Sequence, residues 1–188
     1  CMYVEKVFGY ADALKYINGY QEKVRNRRPI ITESGKHQGP PGDQYFKGAL
    51  FLHTLRNVLG DDDTWWALVR EVYDTFKYQS IETEDILKLF NKRFGIDLQP
   101  VFDQYLRHAQ LPLLELVFDD AKQSVSYRWK TDVPGFDMPI LVGERATWQQ
   151  ISPTTEWQTL STELRQERFE VATDLYYVKV TKRRREGD

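Results

Sequence analysis

The sequence is short of several features on which whole classes of protein depend. It has one cysteine in 188 residues, which excludes an internal disulfide bond. No apolar run approaches the roughly 20 residues that a membrane-spanning helix needs, so no transmembrane segment is predicted. The formal net charge is −2, which gives no overall field to attract nucleic acid or an anionic membrane surface. A nucleic-acid partner is therefore not expected.

Histidine is also scarce, with only His37, His53 and His108. They are too far apart to form H-E-x-x-H, in which two histidines one helical turn apart bind zinc and the glutamate acts as a base. His37 shares a loop rich in glycine and proline with Glu33, but a structural zinc site normally needs four ligands. We predict a surface loop there, a packed and hydrogen-bonded role for His53, and no metal-binding residue.

Three short motifs have ordinary structural interpretations. Asp61–Asp63 lacks the spacing of a calcium-binding loop and is predicted to cap a helix. The basic run at 182–185 is predicted to be a solvated tail rather than a binding patch, because salt screens charges of this size within about 8 Å. Cys1 allows an alternative as the lipid-bearing first residue of a bacterial lipoprotein, but the flexible polar spacer typical of such proteins is missing.

Helical periodicity describes the chain as far as about Ala109. Glycines at positions 60 and 95 are expected to end two of the helices, because glycine readily takes the left-handed conformation after a last turn. The predicted helices cover about 2–27, 43–59, 63 or 64 to 76, 83–94 and 100–108.

Beyond Leu113 the pattern changes to the period of two that is typical of strands with one buried face. Val125, Tyr127 and Trp129 alternate with polar residues, and further strands are predicted at 138–142, 169–171 and 175–180. Several short strands in about 70 residues suit a small β-sandwich. The sequence therefore predicts an α+β protein with a boundary near residues 111 and 112, which separates a helical part (1–111) from a sandwich (112–188).

The segment from Asp43 to Arg56 is the most informative one for function. Asp43 is predicted to cap a helix by accepting a hydrogen bond from a first-turn N–H, which places Tyr45 in that first turn. Small and apolar residues recur at three- and four-residue steps on one face that is expected to be buried: Ala49, Leu52, Leu55 and Leu59.

Two interpretations of Tyr45 follow from this position. An aromatic residue on an apolar helical stripe is usually a packing residue. Alternatively, the partial positive charge and the free N–H groups at a helix N-terminus suit a hydroxyl that donates a hydrogen bond to a developing oxyanion.

The order Tyr45-Phe-Lys-Gly-Ala, then Leu59-Gly-Asp-Asp and an aromatic pair at Trp65-Trp66, resembles the Tyr-x-Lys-Gly segment of the aminopeptidase N family of gluzincin zinc metallopeptidases. Residues 3–10 are similar to the helix that follows the third zinc ligand in that family. Residues 101–112 are similar to the segment that closes its thermolysin-like catalytic domain. A small sandwich follows this domain in many members.

The resemblance implies that Tyr45 is a catalytic residue that stabilises the tetrahedral intermediate formed on a peptide substrate. Zinc would be the cofactor of the full-length enzyme, but this chain lacks the zinc motif. It would then be a C-terminal fragment that starts just after the third zinc ligand, is inactive alone, and has the missing N-terminal part of the polypeptide as its partner. Some members carry a second tyrosine five residues upstream, where this chain has Pro40. No substrate-binding residue is assigned.

Several further expectations accompany the resemblance. Lys47 and Arg56 are predicted on the polar side of the helix, with Lys47 solvated or ion-paired, and Gly48 is predicted to allow close approach of another helix.

The compartment stays open, with a bacterial periplasmic or secreted location as one expectation for the full-length form. The alternative function is a non-catalytic module, derived from this family, that binds peptides or a protein partner.

Overall fold

The structure is a computed structural model that describes residues 2–32 and 41–185. Within these ranges the helices come first and the strands follow. The helices are α1 (Met2–Phe8), α2 (Tyr10–Asn18), α3 (Asp43–Leu59), α4 (Asp62–Phe76), α5 (Thr83–Phe94) and α6 (Gln99–Leu106), with a 3-10 turn at Gln21–Lys23. The strands are β1 (Leu113–Asp119), β2 (Ser124–Lys130), β3 (Ile140–Glu144), β4 (Thr147–Ile151), β5 (Gln158–Ser161), β6 (Glu170–Val171) and β7 (Lys179–Arg184). Cys1, Glu33, His37 and Pro40 lie outside the described residues.

The predicted glycine stops of α3 and α5 are confirmed. Gly60 has a φ of 69° and Gly95 a φ of 70°, both in the left-handed region that residues with a Cβ rarely adopt. The amide of Gly60 donates to the carbonyl of Arg56, and that of Gly95 donates to the carbonyl of Asn91. These local bonds close the last turns of the two helices.

The acidic cluster before α4 acts as a helix cap, as predicted. The Asp61 carboxylate accepts hydrogen bonds from the amides of Asp63 at 3.0 Å and Thr64 at 3.3 Å.

The predicted span of α6, 100–108, differs from the observed Gln99–Leu106 by one or two residues at each end. None of the described helices is both long and apolar enough to cross a membrane.

The prediction of one continuous helix over 2–27 was wrong. Gly9, with a φ of 91° and a ψ of 171°, separates α1 from α2, and the regular helix ends at Asn18. None of the seven residues of α1 is buried, whereas Ala13 and Ile17 of α2 are. The apolar spacing continues through Gly9, but this glycine takes a backbone conformation that periodicity does not reveal.

The strands form two small sheets, one with the order β5-β2-β1-β7 and the other with the order β4-β3-β6. β1 and β2 are antiparallel, whereas β7 lies parallel to β1. The rings of Phe118 in β1 and Phe169, which precedes β6, pack edge to face at 5.4 Å and bring the two sheets into contact. The predicted α+β class, with helices followed by sheet, is confirmed.

The predicted strand at 175–180 was displaced, because β7 starts only at Lys179. The tyrosines before it are buried against the helical part: the Tyr177 amide donates to Thr54 Oγ1 at 2.9 Å, and the Tyr176 hydroxyl donates to the Asn57 carbonyl at 3.2 Å. The basic run at 182–185 is exposed, in agreement with its predicted solvation, but it is not a tail, since its first three residues belong to β7.

The helical part and the sheets share one hydrophobic core. The buried Tyr105 hydroxyl of α6 donates to the Tyr177 carbonyl at 2.8 Å, and Asn57 Nδ2 of α3 donates to the Leu175 carbonyl at 3.1 Å. The change from helix to strand lies between Leu106 and Leu113. The division into two domains at 111 and 112 stays a prediction.

Candidate functional site

Tyr45 is the third residue of α3, and 73% of its surface is exposed. It lies at the rim of a cleft of about 370 Å³ formed by residues of α1, α2, α3 and α4. The packing interpretation therefore does not describe this residue. Its ring is open to contact with a molecule or chain segment other than the residues that the structure describes.

The start of α3 differs from the prediction in its cap. Asp43 is the first helical residue, and its buried carboxylate accepts hydrogen bonds from the amides of Arg25 at 3.1 Å and Asn26 at 2.7 Å. Gly42 occupies the capping position, with no side-chain hydrogen bond to the first turn. Asp43 thus connects α3 to the segment after the 3-10 turn instead of capping its own helix.

The apolar face of α3 divides between the core and the cleft. Leu55 is fully buried as predicted, but Leu52 is 48% exposed and Ala49 is only half-buried. The cleft has an apolar wall to which α2, α3 and α4 contribute, among others, these residues: Leu14, Ile17, Ala49, Leu52, Trp66 and Val69. The face that the sequence singled out as buried is therefore partly an open surface beside Tyr45.

Arg56 is a charged group of the cleft, and it is buried although it was predicted on the polar side of α3. It is only 8% exposed. Its guanidinium donates two hydrogen bonds to Glu5, at 2.6 and 2.7 Å, and two to Asp62, each at 2.7 Å. It also lies over the rings of Tyr10 at 5.4 Å and Trp66 at 5.0 Å. The hydrogen bonds to Glu5 and then to Asp62 raise the pKa of Arg56 further, so it is a permanent cation.

His53 also lines the cleft and is packed and hydrogen-bonded, as predicted. Its Nε2 lies 3.1 Å from the carbonyl oxygen of Asp174. Burial lowers the pKa of this imidazole, and the hydrogen bond to Asp174 opposes that effect only in part. Among the described residues there is no group of three or more His, Cys, Asp or Glu side chains that could hold a metal ion. The described residues therefore do not fit a zinc site.

Lys47 is the residue of α3 that sequence reasoning placed least well. It is fully buried, and its Nζ donates to the carbonyl oxygens of His108 at 3.0 Å and Ala109 at 3.2 Å. Burial lowers its pKa to about 8, although the nearby Asp43 acts in the opposite direction. The predicted helix approach at Gly48 is also wrong for the described residues, since a Cβ there would meet no atom within 4 Å. No signal in the sequence pairs Lys47 with carbonyls some 60 positions away.

The arrangement of a helical segment followed by two small sheets also occurs within a solved aminopeptidase structure. One such solved structure is the crystal structure of Legionella pneumophila aminopeptidase A in complex with aspartic acid, with a TM-score of 0.67 and 12% sequence identity. The similarity covers 96% of this chain and 22% of that chain. At this identity the similarity concerns the fold, and the chain spans about a fifth of the aminopeptidase chain.

Searches by sequence give no further relatives. No protein-family model matches the sequence. No curated protein matches it either.

Proposed function

We propose that this chain is the C-terminal part of a zinc-dependent aminopeptidase of the gluzincin type and that Tyr45 is a catalytic residue in the complete polypeptide. The observation that carries the proposal is the exposure of Tyr45 at the first turn of α3, on the rim of an apolar cleft. The fold similarity to an aminopeptidase over 96% of the chain supports it.

The role of Tyr45 is to donate a hydrogen bond from its hydroxyl to the oxyanion that develops when a peptide bond is attacked. A donor aimed at developing charge stabilises the transition state more than the substrate, and this raises the turnover number. The neighbouring N-terminus of α3 contributes a partial positive charge that favours the same anion.

The described residues do not form a zinc site, so zinc is proposed to be bound by residues of the longer polypeptide. The remainder of that polypeptide is also the proposed partner of the cleft. Apolar residues such as Leu52 line it and are left open in this chain, and large exposed apolar patches are uncommon on isolated proteins. The chain alone is therefore expected to be inactive. A periplasmic or secreted location of the full-length form is part of the same proposal.

The first test compares zinc content and turnover of amino-acid arylamides between this chain and the full-length polypeptide. Aspartate and glutamate arylamides belong among the substrates, because the similar aminopeptidase structure contains aspartic acid. We expect zinc and turnover only in the longer protein.

The second test is Tyr45→Phe in the full-length polypeptide. Loss of one oxyanion donor typically lowers kcat by about two to three powers of ten, so we expect a loss of that size with unchanged zinc content. Tyr73→Phe is a matched control, because Tyr73 is also an exposed helical tyrosine but lies on α4 outside the cleft. Unchanged turnover in the Tyr45 variant would refute its role.

A second candidate function is a non-catalytic module that binds peptides or a protein partner. The open cleft beside Tyr45 favours it, since its apolar lining offers contacts that need no metal. Absence of zinc and of turnover in both proteins, together with binding of peptides by this chain, would favour the binding module over the aminopeptidase.

A further inference from the structure

Lys47 makes a contact that a lysine seldom makes. Its ammonium is fully buried and donates to two consecutive backbone carbonyls, those of His108 and Ala109. Buried lysines are rare unless they are paired, and among the described residues no carboxylate lies within ion-pair distance of this one. Surface solubility does not explain a buried cation without an ion-pair partner, so the presence of Lys47 here calls for another explanation.

The two carbonyls belong to the connection between α6 and β1, which joins the helical part to the sheets. One turn earlier on α3, the Asp43 carboxylate holds the amides of Arg25 and Asn26. Asp43 and Lys47 are four positions apart and therefore lie on the same side of the helix. They attach the first turn of α3 to two different segments of the chain.

Tyr45 lies between these two residues in the sequence but projects in a different direction. Two positions along an α-helix correspond to a rotation of about 200°. A residue midway between two buried anchors therefore points outward, and Tyr45 is indeed 73% exposed. The direction in which the Tyr45 side chain points, and its distance from the core, are therefore set by Asp43 and Lys47 on the opposite side of the helix.

We propose that Lys47 is a positioning residue for the reaction, which keeps the first turn of α3, and with it the Tyr45 hydroxyl, in a fixed place relative to the rest of the site. This inference rests on the proposed function of Tyr45. Lys47 does not touch the substrate, because its side chain is fully covered and lies on the side of α3 away from the cleft. Its effect is transmitted through the helix backbone.

Charged groups near Lys47 are consistent with this role. Asp43, on the same helix, is the charged group that favours its protonated form. From the α6–β1 connection, the backbone carbonyls face it, while the His108 ring Nδ1 lies 3.8 Å from Asp132. The protonated amine is therefore held by carbonyl dipoles, and the buried Asp43 carboxylate, which lies beyond ion-pair distance, adds a longer-range attraction.

The test uses Lys47→Met in the full-length polypeptide, with kcat and KM measured separately, and in this chain, with hydrogen exchange of the backbone amides at 46–49. Displacement of a catalytic group by about 1 Å costs on the order of 100-fold in rate. We expect kcat to fall ten- to 100-fold with KM changed less than threefold, and exchange in the first bonded turn of α3 to become at least tenfold faster. Lys92→Met, at an exposed position of α5, is the control and should change neither.

A folded Lys47→Met protein with wild-type kcat and wild-type exchange overturns the proposal. If that variant does not fold, Lys47→Gln replaces it, because the amide keeps a donor for only one of the two carbonyls. A smaller fall in kcat and a smaller rise in exchange are then expected, and wild-type values of both again overturn the proposal. Failure of the Tyr45 role is recognised separately, by an unchanged kcat in Tyr45→Phe. In that case accelerated exchange in Lys47→Met would still establish the anchor but not its part in the reaction.

Discussion

The Arg56 guanidinium and the Glu5 carboxylate form a two-pronged salt bridge, with Nη1 to Oε2 at 2.6 Å and Nη2 to Oε1 at 2.7 Å. The two residues are 51 positions apart, on α3 and α1. Because α1 buries none of its own residues, this pair is the principal polar connection that we identify between α1 and the remainder of the described helices. Asp62 extends it to the start of α4.

Arg56→Met is expected to lower the free energy of unfolding by about 3 kcal/mol. Removal of one partner from a largely buried charge pair leaves the other charge without compensation, and such losses are about 3–5 kcal/mol. The expected value is at the lower end because Asp62 is well exposed. Urea unfolding followed by circular dichroism measures it.

Arg145→Met is the matched control for that experiment. Arg145 pairs with Asp174 at 2.8 Å but is 65% exposed, and exposed ion pairs contribute little to stability, so a smaller loss than in Arg56→Met is expected. Equal losses in the two variants would show that burial of Arg56 adds nothing to the pair.

Thr54→Val is expected to destabilise the protein by about 1–3 kcal/mol although the two side chains have nearly the same shape. The buried Thr54 hydroxyl donates to the Leu50 carbonyl at 3.0 Å and accepts from the Tyr177 amide at 2.9 Å. Valine cannot accept, so the amide of Tyr177 would stay buried without a partner, which is the costly case for a hydrogen bond. Thr54→Ser keeps the hydroxyl and should lose less; the reverse order in urea unfolding would contradict the argument.

Titration of Lys47 should make stability rise with pH in a defined window. Burial lowers the pKa of Lys47 to about 8 in the folded chain, whereas an unfolded lysine has a pKa of about 10.4. Between these values the unfolded state binds more protons than the folded state, so the free energy of unfolding increases with pH, by at most about 1.4 kcal/mol per pH unit. Urea unfolding at pH 7.5 and 9.5 is expected to show this increase in the wild type, and Lys47→Met should lack it.

Buried tyrosines limit that window on the alkaline side. Burial raises the pKa of Tyr176 to about 12 and raises that of Tyr105 as well. Above pH 10 the unfolded tyrosines lose protons that the folded ones keep, so stability falls again. A stability that declines steadily from pH 7.5 upward would contradict the assignment for Lys47.

The isolated chain is expected to self-associate through the open cleft. Leu52 lines it, and Tyr45, Met2 and Tyr10 at its margin are each more than 40% exposed. Leu52→Glu should weaken self-association and reduce binding of a hydrophobic dye, because it places a charge in the cleft wall. Ile96→Glu is the control, since Ile96 is similarly exposed but lies outside the cleft. A clean monomer by light scattering with no dye binding would refute the prediction.

Strand prediction succeeded best where one face of the sheet is buried. The strands predicted at 138–142 and 169–171 overlap β3 and β6. Residues of β1 and β2 alternate strictly between buried and partly exposed, and their period of two was visible. β4 and β5 were not predicted, because most of their residues are exposed or only half-buried, so burial does not impose alternation on their sequence. The strand predicted at 175–180 failed because Tyr176 and Tyr177 pack against α3.

What the sequence determined by itself is the set of features that depend on neighbouring residues. The ends of α3 and α5 at glycines, the cap at Asp61 and the change from helix to strand before Leu113 arise from backbone conformations and hydrogen bonds within a few positions. The position of Tyr45 in a first helical turn belongs to this set.

Only the tertiary structure decided which side chains are buried and with which partners. Asp43 was predicted as a cap of its own helix, and Lys47 and Arg56 were predicted on its polar side, yet each is buried and has a partner 17 to 62 positions away. A charged residue is stable inside a protein only when polar groups surround it, and the groups that do so here come from distant segments. Distant segments also decide that Tyr45 is exposed, because they cover the opposite side of its helix.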